Sequence, residues 1–70
     1  MQEIKQNKVL GYRKMFKLNQ DEVSEVLGIG QNTYSYKENG KAPFTVVEAK
    51  KLTLLFKKYN PNLTMDEIFL

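Results

Sequence analysis

Apolar residues recur along this chain at the spacing of helices, and nowhere alternate with polar ones as they would in a half-buried strand. Val9, Tyr12 and Phe16 stand at i, i+3 and i+7, on one face of a first helix predicted over about Ile4 to Lys17. Gly11 sits inside it, and the close approach of another helix is the expected reason. Val23 and Leu27, at i and i+4, point inward from a second helix over about Gln20 to Leu27. Ser24 beside them is small enough to admit a neighbour. A third helix is expected from about Gln31 to Asn39, with Gly30 as its N-cap and Gly40 as its stop. Ala49, Leu52, Leu55, Phe56 and Tyr59 make one stripe on a fourth, from Val46 to about Tyr59. A last turn or two, Met65 to Phe69, closes the chain.

The punctuation agrees with this pattern. Asn19-x-x-Glu22, Thr45-x-x-Glu48 and Thr64-x-x-Glu67 each read as a capping box, in which two side chains satisfy two orphan backbone donors. Gly28 is placed to end the second helix in the left-handed conformation that glycine adopts at least cost. Pro43 keeps its predecessor out of a helix, and Asn60-Pro61-Asn62 ends the fourth helix. The expectation is an all-α chain of five helices forming one domain over residues 1–70.

Composition then removes whole classes of function. There is no Cys and no His, so zinc sites and Cys- or Ser–His catalysis are excluded, and no cofactor, metal or enzymatic activity is expected. No apolar run exceeds three residues, against ~20 for a membrane span. The N-terminal MQEIKQNK lacks the apolar core of a signal peptide, so a soluble cytoplasmic protein is expected. The net charge of +3 is compatible with nucleic acid without requiring it.

Two short helices, about 20–27 and 31–39, joined through Gly28, make a helix-turn-helix. Ile29 can plug the core after the turn, and Tyr34 can anchor the second of the two helices inward. Gln31, Asn32, Ser35 and Tyr36 are left to present donors and acceptors to base edges.

The stretch RKMFKLNQDEVSEVLGIGQNTYSYKENGKAPF, with LTMDEIF near the end, resembles the Cro/repressor-type helix-turn-helix domain, the XRE family. Arg13, Gln20, Val23-Ser24, Leu27-Gly28-Ile29, Glu38-Asn39-Gly40 and Pro43 carry the likeness. It implies a compact bundle like that of lambda repressor, and a small phage-encoded regulator acting in a bacterial host. It implies that Gln31, Asn32, Ser35 and Tyr36 face the major groove of double-stranded operator DNA, with half-buried packing as the rival role for Tyr36. Gln20 would hold a phosphate and brace Gln31, unless it is only a solvated first-turn residue. Asn39 and Lys41 would touch phosphate, and Lys14, Lys17 and Lys37 could reach it. Arg13 and Glu38 would form a structural ion pair worth roughly 0–1 kcal/mol if partly exposed. Lys37 stands where the pattern has an apolar residue, and its stem is expected to cover apolar surface while the ammonium reaches solvent.

Two features pull away from a simple DNA reader. Residues 31 to 36 hold no Arg or Lys, which removes the commonest base contact, Arg to guanine. The second helix carries Asp21, Glu22 and Glu25. Val47 and Leu54 lie two turns apart, off the main stripe of the fourth helix, as scattered surface or as the seed of an interface. Phe69 and Leu70, after Ile68, pack on the fourth helix or on a second chain. A homodimer and a companion repressor are therefore both expected partners. The alternative to a Cro-like regulator is a modulator of repression, or antirepressor, that binds that repressor.

Overall fold

The three capping boxes decide where three of the helices start. In the computed structural model, which describes residues 7–69, the helices are α1 (Val9–Met15), α2 (Gln20–Leu27), α3 (Gln31–Glu38), α4 (Val46–Lys57) and α5 (Met65–Phe69). No β-strand element occurs among the described residues, and the fold is all-α. Asn19 accepts from the Glu22 N–H at 2.8 Å, and the Glu22 carboxylate accepts from the Asn19 N–H at 3.0 Å. Thr45 and Glu48 repeat this ahead of α4, and Thr64 and Glu67 ahead of α5.

Left-handed residues end the first three helices. Gly28 (φ 73°) and Gly40 (φ 80°) do so after α2 and α3. After α1 the same place is taken by Lys17 (φ 59°), which has a side chain and therefore strains the backbone. The Leu18 N–H reaches back to the Arg13 carbonyl at 3.0 Å, as the Lys41 N–H does to that of Tyr36 at 2.9 Å.

α1 is shorter than the apolar spacing suggests. It starts at Val9, whose N–H donates to the Asn7 side chain at 2.9 Å. The expected start at Ile4 lies outside the described residues, and Lys17 lies beyond its end. Gly11 is exposed, and a Cβ there would meet no atom within 4 Å, so the expected helix approach does not occur. α4 stops at Lys57, two residues before Tyr59, which is half exposed and stacks on Phe16 at 5.1 Å between ring centroids.

The core is Val9, Val23, Leu27, Tyr34, Phe44, Ala49, Leu52, Phe56, Leu63, Ile68 and Phe69, with Ile29 and Leu55 packed against it. Phe69 is only 5% exposed and meets the Phe44 ring edge-on. This corrects its reading as interface surface: the side chain fills the chain's own core. Leu70 lies outside the described residues.

Candidate nucleic-acid interface

The turn between α2 and α3 is set by backbone bonds. The Gly28 N–H donates to the Glu25 carbonyl and the Ile29 N–H to that of Ser24, both at 3.1 Å. This is the paired closure that a left-handed residue permits. Ile29 then dips toward the core, and Gly30, in extended backbone, starts α3. α3 is therefore a separate helix with its own inward and outward sides.

Its inward side is Tyr34 and Glu38, one turn apart and both buried. Glu38 is the centre of a polar hub. Its carboxylate accepts from Arg13 Nε at 2.6 Å and Arg13 Nη2 at 3.0 Å. It also accepts from the Tyr34 hydroxyl at 2.5 Å and Gln20 Nε2 at 3.1 Å. Arg13 adds a bond from Nη1 to the Leu18 carbonyl at 2.9 Å. One carboxylate thus ties α1, α2 and α3 together. Burial pushes the Glu38 pKa up, but the bonds from Arg13, Tyr34 and Gln20 outweigh it and hold the group below the ordinary glutamate value. The bond to Glu38 raises the Arg13 pKa, and burial raises that of the Tyr34 hydroxyl.

The ion pair is consequently not the partly exposed one that the sequence suggests. The Arg13 and Glu38 side chains are 10% and 1% exposed. A pair at that depth owes its value to the completeness of its hydrogen bonds, and removing one member strands the other.

Lys37 is the second departure. Its Nζ sits 2.6 Å from Glu48 Oε1 on α4 instead of reaching solvent. Its carbonyl also accepts from the Asn7 side chain at 3.2 Å. Burial raises the Glu48 pKa, but the bonds from Lys37 and the Thr45 N–H outweigh it, so the net shift is downward. Lys37 is thereby removed from the cations free to meet phosphate. Gln20 is half-buried and donates to Glu38, in place of the expected brace to Gln31.

The outward side of α3 carries Gln31, Asn32 and Tyr36, all exposed, with Thr33 beside them. Ser35 is half-buried, and its carbonyl accepts from the Asn39 side chain at 3.0 Å. Tyr36 is 57% exposed, and Lys41 Nζ stands 5.9 Å from the centre of its ring. Lys14, Lys17, Asn39 and Lys41 are exposed.

Three contributors escape the sequence reading. The Tyr34–Glu38 bond follows i, i+4 spacing within α3 and could have been found from it. The Lys37–Glu48 pair and the Asn7 tether cross between elements and leave no local signal.

Three short helices, the second and third joined at a left-handed glycine and the third polar on its outer side, define a helix-turn-helix protein. The helix-turn-helix family model matches residues 11–63, most of the chain. The chain belongs to that family, in its XRE type, a family of DNA-binding transcription regulators. No curated protein and no solved structure matches the chain significantly. Among the described residues, no helix is long and apolar enough to cross a membrane.

Proposed function

We propose that this chain is a Cro/repressor-type regulator whose α3 enters the major groove of operator DNA. The observation that carries the reading is the division of α3 into two sides. Tyr34, Lys37 and Glu38 are held inward, and Gln31, Asn32 and Tyr36 stand in solvent on a helix that cannot rotate without breaking the hub. With no cation at positions 31 to 36, the expected readout is Gln or Asn to adenine and not Arg to guanine. Lys14, Lys17 and Lys41 supply the phosphate contacts, aided by Asn39. Each neutralised phosphate steepens the salt dependence of log K by about 0.9, so the three lysines give a slope of roughly −3 per chain.

The test is selection of a binding site from random duplex DNA, then titration at two salt concentrations. A preferred site, a slope of that order and a loss of about 1–3 kcal/mol of discrimination in Gln31→Ala are expected. No preference over random DNA together with a shallow slope would overturn the reading.

A second reading, a modulator of repression that binds a companion repressor, is favoured by the exposed apolar side chains of α4. Val47 is 55% exposed and Leu54 is 67% exposed. Size-exclusion chromatography with a candidate repressor separates the two readings, since a shared peak at micromolar concentration is expected only of the second.

A further inference from the structure

The outward face of α4 repeats with a period of seven. Val47 is followed at i+3 and i+4 by Lys50 and Lys51, and Leu54 by Lys57 and Lys58. Residues seven apart share a helix face, so this face alternates one large apolar side chain with one pair of cations. All six side chains of the repeat, Val47, Leu54 and the four lysines, are exposed. Leu54 is the ridge between two shallow grooves. One is walled by Lys50, Thr53, Lys57, Thr64 and Met65. The other is walled by Val26, Lys51, Leu55 and Lys58.

No carboxylate lines either groove. Among the described residues none of the four lysines is in an ion pair, because Glu48, the acidic residue of α4, is held by Lys37. The neighbouring Glu67 is turned back onto the Thr64 N–H and hydroxyl. The two grooves are therefore apolar along Leu54 and carry four lysines, and no carboxylate, in their walls.

We propose that this face of α4 docks an acidic amphipathic helix of a partner protein. The matching surface has one large apolar residue every seven positions, seated beside Leu54, and carboxylates between them that meet Lys50, Lys51, Lys57 and Lys58. A helix of about three turns spans the repeat. Charge complementarity selects this occupant over the alternatives. A second copy docked by the same face would set lysine pairs against lysine pairs. A phosphate backbone would meet the lysines and leave the walls of Leu54, Leu55 and Met65 uncovered. The inference rests on the second reading above, that the chain has a protein partner, and is independent of DNA recognition by α3.

The probe is a displayed library of helical peptides of about 15 residues. It is selected on the full chain and counter-selected on Leu54→Lys. Selected peptides are expected to be acidic and to carry large apolar residues seven apart. They are expected to shift amide resonances of α4 and Met65, and to lose at least about tenfold in affinity in Leu54→Lys and in Lys51→Glu. Leu54 is exposed, so melting should be unchanged; Lys51→Glu alone decides the matter where it is not. No enrichment, enrichment of neutral or basic peptides, shifts confined to α3, or self-association of the free chain through Leu54 would overturn the proposal. So would a companion repressor that binds Leu54→Lys as tightly as the unmodified chain, which would leave the second reading standing and remove only this groove.

Discussion

Lys37 and Glu38 are adjacent in the chain, yet they make ion pairs of different kinds on opposite neighbours. Glu38 faces α1 and α2, is 1% exposed, and accepts from three residues at once. Lys37 faces α4 and meets a carboxylate that already serves a capping box, with the two side chains 14% and 12% exposed. The contrast teaches that burial alone does not rank the pairs. What ranks them is how many groups are stranded when one member goes. Glu38 leaves Arg13, Tyr34 and Gln20 without their shared acceptor, and Lys37 leaves a Glu48 that still accepts from Thr45.

The largest effect is therefore expected of Glu38→Ala, a loss of about 3–5 kcal/mol in urea unfolding, because the Arg13 charge stays buried and unpaired. A loss under about 1 kcal/mol would mean that the hub relaxes into water and does not orient α3.

Acid should act next. Both carboxylates titrate lower in the folded chain than in the unfolded one. As pH falls, the unfolded chain takes up protons first, so stability is complete above the ordinary glutamate range and is lost as pH drops through the folded values. Urea midpoints measured from about pH 7 to about pH 3 should fall, and the fall should shrink more in Glu38→Gln than in Glu48→Gln. Equal shrinkage would erase the distinction between the two pairs.

Lys37→Met sharpens the same comparison from the weaker side. The stem keeps its packing and Glu48 keeps its cap, so stability should move by about 1 kcal/mol or less. A cost approaching that of Glu38→Ala would reverse the ranking.

The smallest effect expected is a gain away from both pairs. Gly11→Ala, on an exposed helical position with open space around its Cβ, should raise stability by about 0.4–1 kcal/mol in thermal melting. Destabilisation would revive the close approach that the spacing of α1 suggests.

The legibility of the sequence divides along similar lines. Capping boxes and terminating glycines are local devices, and the starts of α2, α4 and α5 and the turn at Gly28 could be read from them. Tyr34 as the inward anchor of α3 followed from its place in the helix-turn-helix. The misread positions are those decided between elements. Gly11 has the composition of a packing site but faces solvent. α1 ends at Met15, ahead of a left-handed Lys17 whose residue type gives no warning. The destination of Phe69 depended on the ring of Phe44, twenty-five positions away in the chain, and that of the Lys37 ammonium on Glu48. The outward residues of α3 were legible as polar and exposed, but Gln20, legible as polar, proved to be committed inward.

The anchoring of α3 from behind has an evolutionary corollary. Tyr34, Lys37 and Glu38 bear the attachment, while the side chains of Gln31, Asn32, Thr33 and Tyr36 make no hydrogen bond to another element among the described residues. On the proposed reading of α3 as the groove-entering helix, these four positions would be exchangeable as a cassette, and a new target preference could be installed on the same frame without re-optimising the scaffold.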